Sequence, residues 1–212
     1  MINSPRVEQL IAKLLTRLIR SGDHTKRLKL AASFAVGKVL DVGMAQCPNQ
    51  YLANPYVTGL DVAVPKEQPS NYSRFIQGDC TNLRAYARGE TFDTVIALEV
   101  IEHLPDYVEF LREAHHVLSR NGRLIISTPN PLLWRTILAN AFFPEGQSYG
   151  GSGSNGKIAQ KPYYGHVVLH LPRVLNAVAQ EIGFRLFAIR NSSRNLPFPF
   201  LQRKLLYVYE KA

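Results

Sequence analysis

Cysteine is nearly absent: Cys47 and Cys80 are the two in 212 residues. Two thiols build no disulfide framework, so they are expected as reduced, packed small side chains in a cytosolic (cytoplasmic) setting. Long apolar runs are missing as well. No stretch approaches the ~20 residues that a membrane-spanning helix needs. Basic and polar residues interrupt the N-terminal apolar positions, so no signal peptide is expected. There are no internal repeats. Acidic side chains are in deficit, 16 against 25 Lys and Arg, which leaves a formal net charge of +9. Much of that excess lies early, in Arg6, Lys13, Arg17, Arg20, Lys26, Arg27, Lys29 and Lys38 against Glu8 and Asp23. Such an arm suits nucleic acid, an anionic membrane surface or a phosphorylated substrate; the plainer alternative is a solvated helix face.

What is present is an alternation. Val7, Leu10, Ile11, Leu14 and Leu18 recur at helical spacing, Ser21-Gly22-Asp23 ends that helix, and a second helical stretch leads to Phe34. From Lys38 the pattern predicts strands near 38–43, 56–61, 73–77, 92–98, 123–128, 184–190 and 204–210. Helices are predicted near 46–53, 81–88, 106–119 and 171–182. Asp106 can cap the third of these and Asn121-Gly122 stop it, while Pro172 opens the fourth and Gly183 follows its end. Pro65 and Pro69 leave little room for a helix between the second and third strands. No helix separates the last two strands, so the final one should return antiparallel. The expected fold is α/β: a Rossmann-like seven-stranded sheet, mostly parallel with an antiparallel last strand, and helices on both faces. It would occupy 38–212, after an N-terminal helical arm over 1–37. The Gly/Ser-rich stretch 142–166 reads as a lid-like loop.

In an open parallel sheet, ligands bind beyond the carboxyl ends of the strands, where strand order reverses. Each of the first four predicted strands ends in an acid: Asp41 (followed by Gly43), Asp61, Asp79 and Glu99. Asp61, 18 residues past Gly43, suits an acid that pairs with ribose hydroxyls. Any one such residue can be an ordinary loop acid; four in register point to a site.

The ordered segments "VLDVG", "GLDV", "GDCTNL", "FDTVIALEVIEHLPD" and "NGRLIISTPN" resemble the successive motifs of class I S-adenosylmethionine-dependent methyltransferases, over a stretch from about Lys38 to the C-terminus. The resemblance implies S-adenosylmethionine as cofactor. Gly43 and the loop through Ala45 would cradle its methionine part, with Asp41 offering a carboxylate. Asp61 would take the ribose hydroxyls, Asp79 the adenine amino group with the Cys80 backbone nearby, and Leu98 and Glu99 the floor below the sulfonium. The family's G-x-G-x-G becomes Gly43-Met44-Ala45-Gln46-Cys47 here. Alanine fits badly at positive φ and Cys47 adds bulk. Because this cofactor carries no phosphate to wrap, the expectation is a loop that is altered yet competent.

On the acceptor side, His103, Glu102 and His166 are candidates to assist deprotonation of an oxygen nucleophile. His115, His116 and His170 are read as structural. Glu99, Glu102, His103 and His166 also resemble the set with which small-RNA terminal 2′-O-methyltransferases hold a divalent metal such as Mg²⁺ or Mn²⁺. "EVIEH" followed by "STPN" is equally similar to quinone-biosynthesis O-methyltransferases and to methyltransferases of sugar and glycolipid pathways. The reading these residues favour is O-methylation of a small molecule, glycan or lipid precursor. The alternatives are RNA 2′-O-methylation with a metal, the basic arm touching RNA or an anionic surface, and a catalytically silent binding protein. Tyr163 and Tyr164 are the only aromatic pair suggestive of base stacking.

Overall fold

The computed structural model describes residues 23–67, 69–133, 137, 168–192 and 202–212. Expectations about the helix over 7–18, the loop 142–166, Tyr163, Tyr164 and His166 therefore lie outside the described residues.

The second N-terminal helix is α1 (Asp23–Phe34). The strands follow: β1 (Val39–Val42), β2 (Val57–Asp61), β3 (Arg74–Gln77), β4 (Phe92–Leu98), β5 (Leu118–Pro129), β6 (Phe184–Asn191) and β7 (Lys204–Lys211). Between them lie α2 (Leu83–Ala87), α3 (Tyr107–Val117) and α4 (Pro172–Ile182). The sheet runs β3-β2-β1-β4-β5-β7-β6. Strands β1 to β5 pair in parallel, and β7 runs antiparallel to both β5 and β6. This is the expected fold, with its order reversing between β1 and β4.

All four residues of β1 are buried, as a central parallel strand covered on both faces requires. Alternate residues feed two cores. Leu40 and Val42 join Phe92, Phe110, Leu111 and Leu175 under α2, α3 and α4. Val39 joins Val57, Ile96, Ile125, Leu206 and Ala31, on the face that α1 covers.

Two helix expectations need correction. Residues 46–53 form turns, closed by Cys47 N–H to Met44 O and Leu52 N–H to Asn49 O. Pro48 has no N–H to extend a helix, and the buried Asn49 spends its side chain on Leu28 O and Tyr51 N–H instead. The helix predicted over 106–119 ends at Val117, where Leu118 is already extended and buried. Asn121-Gly122 is thus not a helix stop. It lies inside β5, where Asn121 takes φ 61° and the pairing jumps from Phe92↔Leu118 to Thr94↔Arg123. Other signals hold. The Asp106 carboxylate accepts from Glu109 N–H at 2.9 Å, Pro172 opens α4, and Gly183, at φ 111°, closes it. No helix joins β2 to β3 among the described residues.

Candidate active site

The loop after β1 turns on Gly43. Its φ is 73°, and a Cβ there would run into the Val100 side chain, so both conformation and space require glycine. Its N–H bonds Leu60 O at 2.8 Å. Met44 then folds inward and is buried against Gly59 of β2, whose missing side chain leaves the room. Ala45 and Cys47 keep φ outside the left-handed region. The feared strain at Ala45 is therefore absent, and the loop needs only the glycine it has.

Asp61 ends β2 and holds this loop. One carboxylate oxygen accepts from Ala45 N–H at 2.8 Å and the other from Ala63 N–H at 2.9 Å. Each carboxylate oxygen has further acceptor capacity, so the group can still bind hydroxyls. Asp79 follows β3 and caps a short 3-10 turn, accepting from Thr81 N–H (2.9 Å) and Thr81 Oγ1–H (3.0 Å). Cys80 is buried, and burial pushes its thiol up to about 12, so it is an inert packing residue.

Asp41 is not open to the cleft. It lies buried in β1 and receives the Tyr72 hydroxyl, while that hydroxyl accepts from Asn49 N–H at 2.9 Å. Burial lifts its carboxyl to about 7 against the opposing pull of Tyr72. The chain Asp41–Tyr72–Asn49 ties the strand end to the loop from below.

At the end of β4, Leu98 is half-buried and Glu99 sits in the left-handed region at φ 60°. Such a backbone costs energy for a non-glycine residue and persists only when its surroundings hold it. They do. Glu99 N–H bonds Ser127 O at 2.9 Å, Ser127 Oγ–H bonds the carboxylate at 2.9 Å, Arg27 Nη1 lies 3.4 Å away, and the Lys204 ammonium pairs directly with it. Burial alone would raise this carboxyl, but Lys204 and then Arg27 hold it below the usual carboxylate range.

The 3-10 turn Ile101–His103 follows. Glu102 is 1% exposed, and neither carboxyl oxygen has a hydrogen-bond partner among the described residues. The Thr128 hydroxyl stands beside it without closing a hydrogen bond. Burial and the adjacent Glu99 raise Glu102 to about 8, which keeps it neutral near pH 7. His103 is half-buried at the end of the turn. His170, buried, anchors the next described segment through Ile101 O at 3.1 Å and rests edge-on against Tyr107. Burial depresses its basicity, consistent with a structural role; His115 is likewise depressed by burial and packs edge-on to Phe184.

The structure thus gathers Gly43, Ala45, Asp61, Asp79, Leu98, Glu99, Glu102 and His103 around the carboxyl ends of β1 to β4. It turns Asp41 inward and buries Cys80. Among the described residues the Glu99 carboxylate is engaged by two cations, and no group of three His, Cys, Asp or Glu side chains is arranged for a divalent metal; His166 of the candidate set lies outside them. The sequence reading missed Tyr72, Ser127 and Lys204, and it counted Arg27 only as part of a basic arm, whereas that side chain is 5% exposed. A charged residue opening the apolar run "KLLYVY" was the available hint for Lys204. No helix of the described residues is long and apolar enough to cross a membrane.

Residues 37–126 match a family described as "Methyltransferase domain". The ubiquinone biosynthesis O-methyltransferase of Ruegeria sp. (strain TM1040) is 29% identical over 142 residues, covering 61% of this chain and 54% of that protein. The matches to the first such relatives span 22% to 54% of their lengths. The CcbJ methyltransferase from Streptomyces caelestis shares the fold at a TM-score of 0.62 and 15% identity, over 91% of this chain and 97% of that one. The N-methyltransferase NodS from Bradyrhizobium japonicum WM9, in complex with S-adenosyl-l-homocysteine, does so at 0.55 and 16%, over 89% and 85%. With these motifs in order at the carboxyl edge of a sheet with a single reversed strand, residues 37–126 are a methyltransferase domain of the S-adenosylmethionine-dependent kind.

Proposed function

We propose that the chain transfers a methyl group to an oxygen of a small molecule, glycan or lipid precursor. The observation that carries this reading is the loop Gly43–Ala45, held by the Asp61 carboxylate with its one left-handed residue at glycine. S-adenosylmethionine supplies a methyl on a cationic sulfur, which departs as a neutral thioether when the C–S electrons return to it. In this reading Gly43 and Ala45 receive its methionine part, Asp61 takes the ribose hydroxyls, and Asp79 and the Cys80 backbone take adenine. Leu98 and Glu99 form the floor. Fixing donor and acceptor in line is the main work of such a site and can contribute ~7–11 kcal/mol. His103 is placed to take the acceptor proton as the new O–CH₃ bond forms. Glu102, neutral and enclosed, precedes it in the same turn, and His166, outside the described residues, is assigned to the acceptor side in this reading.

Support for oxygen as the acceptor comes from the curated relatives, which are named as ubiquinone biosynthesis O-methyltransferases. The silent-protein reading loses its main argument because Ala45 is unstrained. The RNA reading drew on the basic balance and on a metal set, and the Glu99 of that set is engaged by Lys204 and Arg27. Calorimetry with S-adenosylhomocysteine tests the assignment. Asp61→Ala should weaken binding by about 1.5–3 kcal/mol through lost charge-assisted hydrogen bonds; unchanged affinity would refute it.

A further inference from the structure

Residues 44–52, after β1, belong to no helix or strand, so their backbone groups need partners from elsewhere. Two residues just ahead of β3 supply them. The Asn71 side-chain amide donates one proton to Asn49 O and the other to Leu52 O, both at 3.0 Å. The Tyr72 hydroxyl accepts from Asn49 N–H at 2.9 Å while donating to Asp41. Tyr72 N–H closes the turn that carries both residues, on Pro69 O at 3.0 Å. Asn49, the residue they share, is sealed from solvent. Its own amide donates to Leu28 O of α1 at 3.0 Å, and its Oδ1 accepts from Tyr51 N–H at 3.1 Å. Every polar group of Asn49, backbone and side chain, is therefore engaged. A buried amide with all its partners in place rigidifies what it joins.

The front of the same loop carries Gly43 and Ala45. It is held by β2, through Gly43 N–H to Leu60 O and Ala45 N–H to Asp61. The rear is held by α1 and by the turn before β3. A loop rich in glycine can take its shape as a ligand arrives, at the cost of ordering its backbone. This one has a single glycine followed by Met44, Ala45, Gln46 and Cys47, and it is fixed at both ends instead. A site shaped in advance pays no ordering cost on binding. We propose that Asn71 and Tyr72 are positioning residues of the cofactor site, acting through Asn49 to hold the loop after β1 in its receiving shape before S-adenosylmethionine arrives. This rests on the assignment of that loop to the cofactor in the methyl-transfer reading, and it adds the residues that set cofactor affinity from behind.

Two measurements on the full chain test it: calorimetry with S-adenosylhomocysteine, and amide hydrogen exchange in the free protein. Asn71→Ala removes both amide bonds, and Asn71→Asp keeps the size of the side chain while its ionised form donates nothing. Asn71 is only half-buried, so both variants should fold. Each should bind S-adenosylhomocysteine ~10-fold more weakly than the wild type. In each, the Ala45 and Asn49 amides should exchange ~10-fold faster in the free protein and regain protection when S-adenosylhomocysteine saturates the site. Tyr209→Phe serves as the control. It removes the bond from the Tyr209 hydroxyl to Asn176 Oδ1 (2.6 Å), between β7 and α4, and should lower stability while leaving affinity and loop exchange as they were. Unchanged affinity in both Asn71 variants overturns the proposal. So does an equal loss of affinity in Tyr209→Phe, which would trace the effect to general stability. A wild type that does not bind S-adenosylhomocysteine overturns the cofactor assignment instead. The exchange comparison then still decides the brace: faster loop exchange in Asn71→Ala supports it, and equal exchange overturns it.

Discussion

Asp41 and Glu99 stand at the ends of adjacent strands, and the fold satisfies them in opposite ways. Asp41 is sealed from solvent and given neutral donors, so its carboxyl rises to about 7. Glu99 is held by two cations and a hydroxyl, and its carboxyl falls below the usual range although burial opposes this. The two sites of one sheet edge thus differ in what they fix. The Asp41–Tyr72–Asn49 chain fixes a backbone, namely the loop after β1 proposed to receive the cofactor. The Glu99 cluster fixes a charge, and it also holds a strained φ that nothing else in the turn requires. A neutral hydrogen-bond chain sets shape cheaply; a cluster of ions costs desolvation and is kept where a field is needed.

The largest effect should come from breaking the ionic side. Glu99→Gln leaves Arg27 and Lys204 without their shared carboxylate and should cost about 3 kcal/mol of stability, read as a lower urea midpoint at constant slope. Removing the neutral side should cost less: Tyr72→Phe strips a donor from Asp41 and an acceptor from Asn49 N–H, for about 2 kcal/mol. It should also weaken S-adenosylhomocysteine binding, because the loop loses its support, whereas an unchanged affinity would confine Tyr72 to folding.

The contrast has a pH signature. The folded-state pKa of Asp41 is raised from 3.8 to about 7, so its contribution is fully present below pH 3.8 and is lost as pH rises toward 7. Glu102, raised from 4.5 to about 8, acts in the same direction. Glu99 acts in the opposite one: its contribution is present above pH 4.5 and is lost as pH falls through its lowered value. Asp41→Asn removes the titration but keeps an acceptor for Tyr72. Between pH 5 and 8 it should flatten the decline in stability by on the order of 1–2 kcal/mol, with the variant ahead at pH 8. Equal slopes would mean that Asp41 is ionised in the native protein. The smallest effect should be at an exposed pair: Arg185→Ala separates a side chain 72% exposed from Glu210 and should cost less than about 0.5 kcal/mol.

Most of the sheet was legible because its strands are written in short apolar runs with acids at their ends, and parallel strands buried on both faces have little other choice. The gathering of Gly43, Asp61, Asp79 and Glu99 at the carboxyl edge was legible for the same reason, each standing close to the end of a run. The turns over 46–53 were misread because Asn49 bonds backbone groups that are distant in sequence, and no local pattern records that. Tyr72 and Lys204 were missed for a related reason. Their partners lie 31 and 105 positions away in the chain, so only the assembled sheet shows that they matter. Arg27 misled by its company, since basic neighbours on a helix read as a wet surface while this one side chain turns inward.

The reversal of β7 carries a consequence for how such a protein can change over time. Because β7 runs against β5 and β6, the chain leaves β6 at Asn191 and re-enters β7 at Lys204 on the edge where the acids are gathered. The stretch between β5 and α4 also starts from that edge, after Pro129. Residues can be inserted in either connection without shifting a single rung of the ladder. In the proposed reading, a lineage can therefore exchange one acceptor for another by editing two connections, while the donor side, written into the parallel strands, is inherited intact.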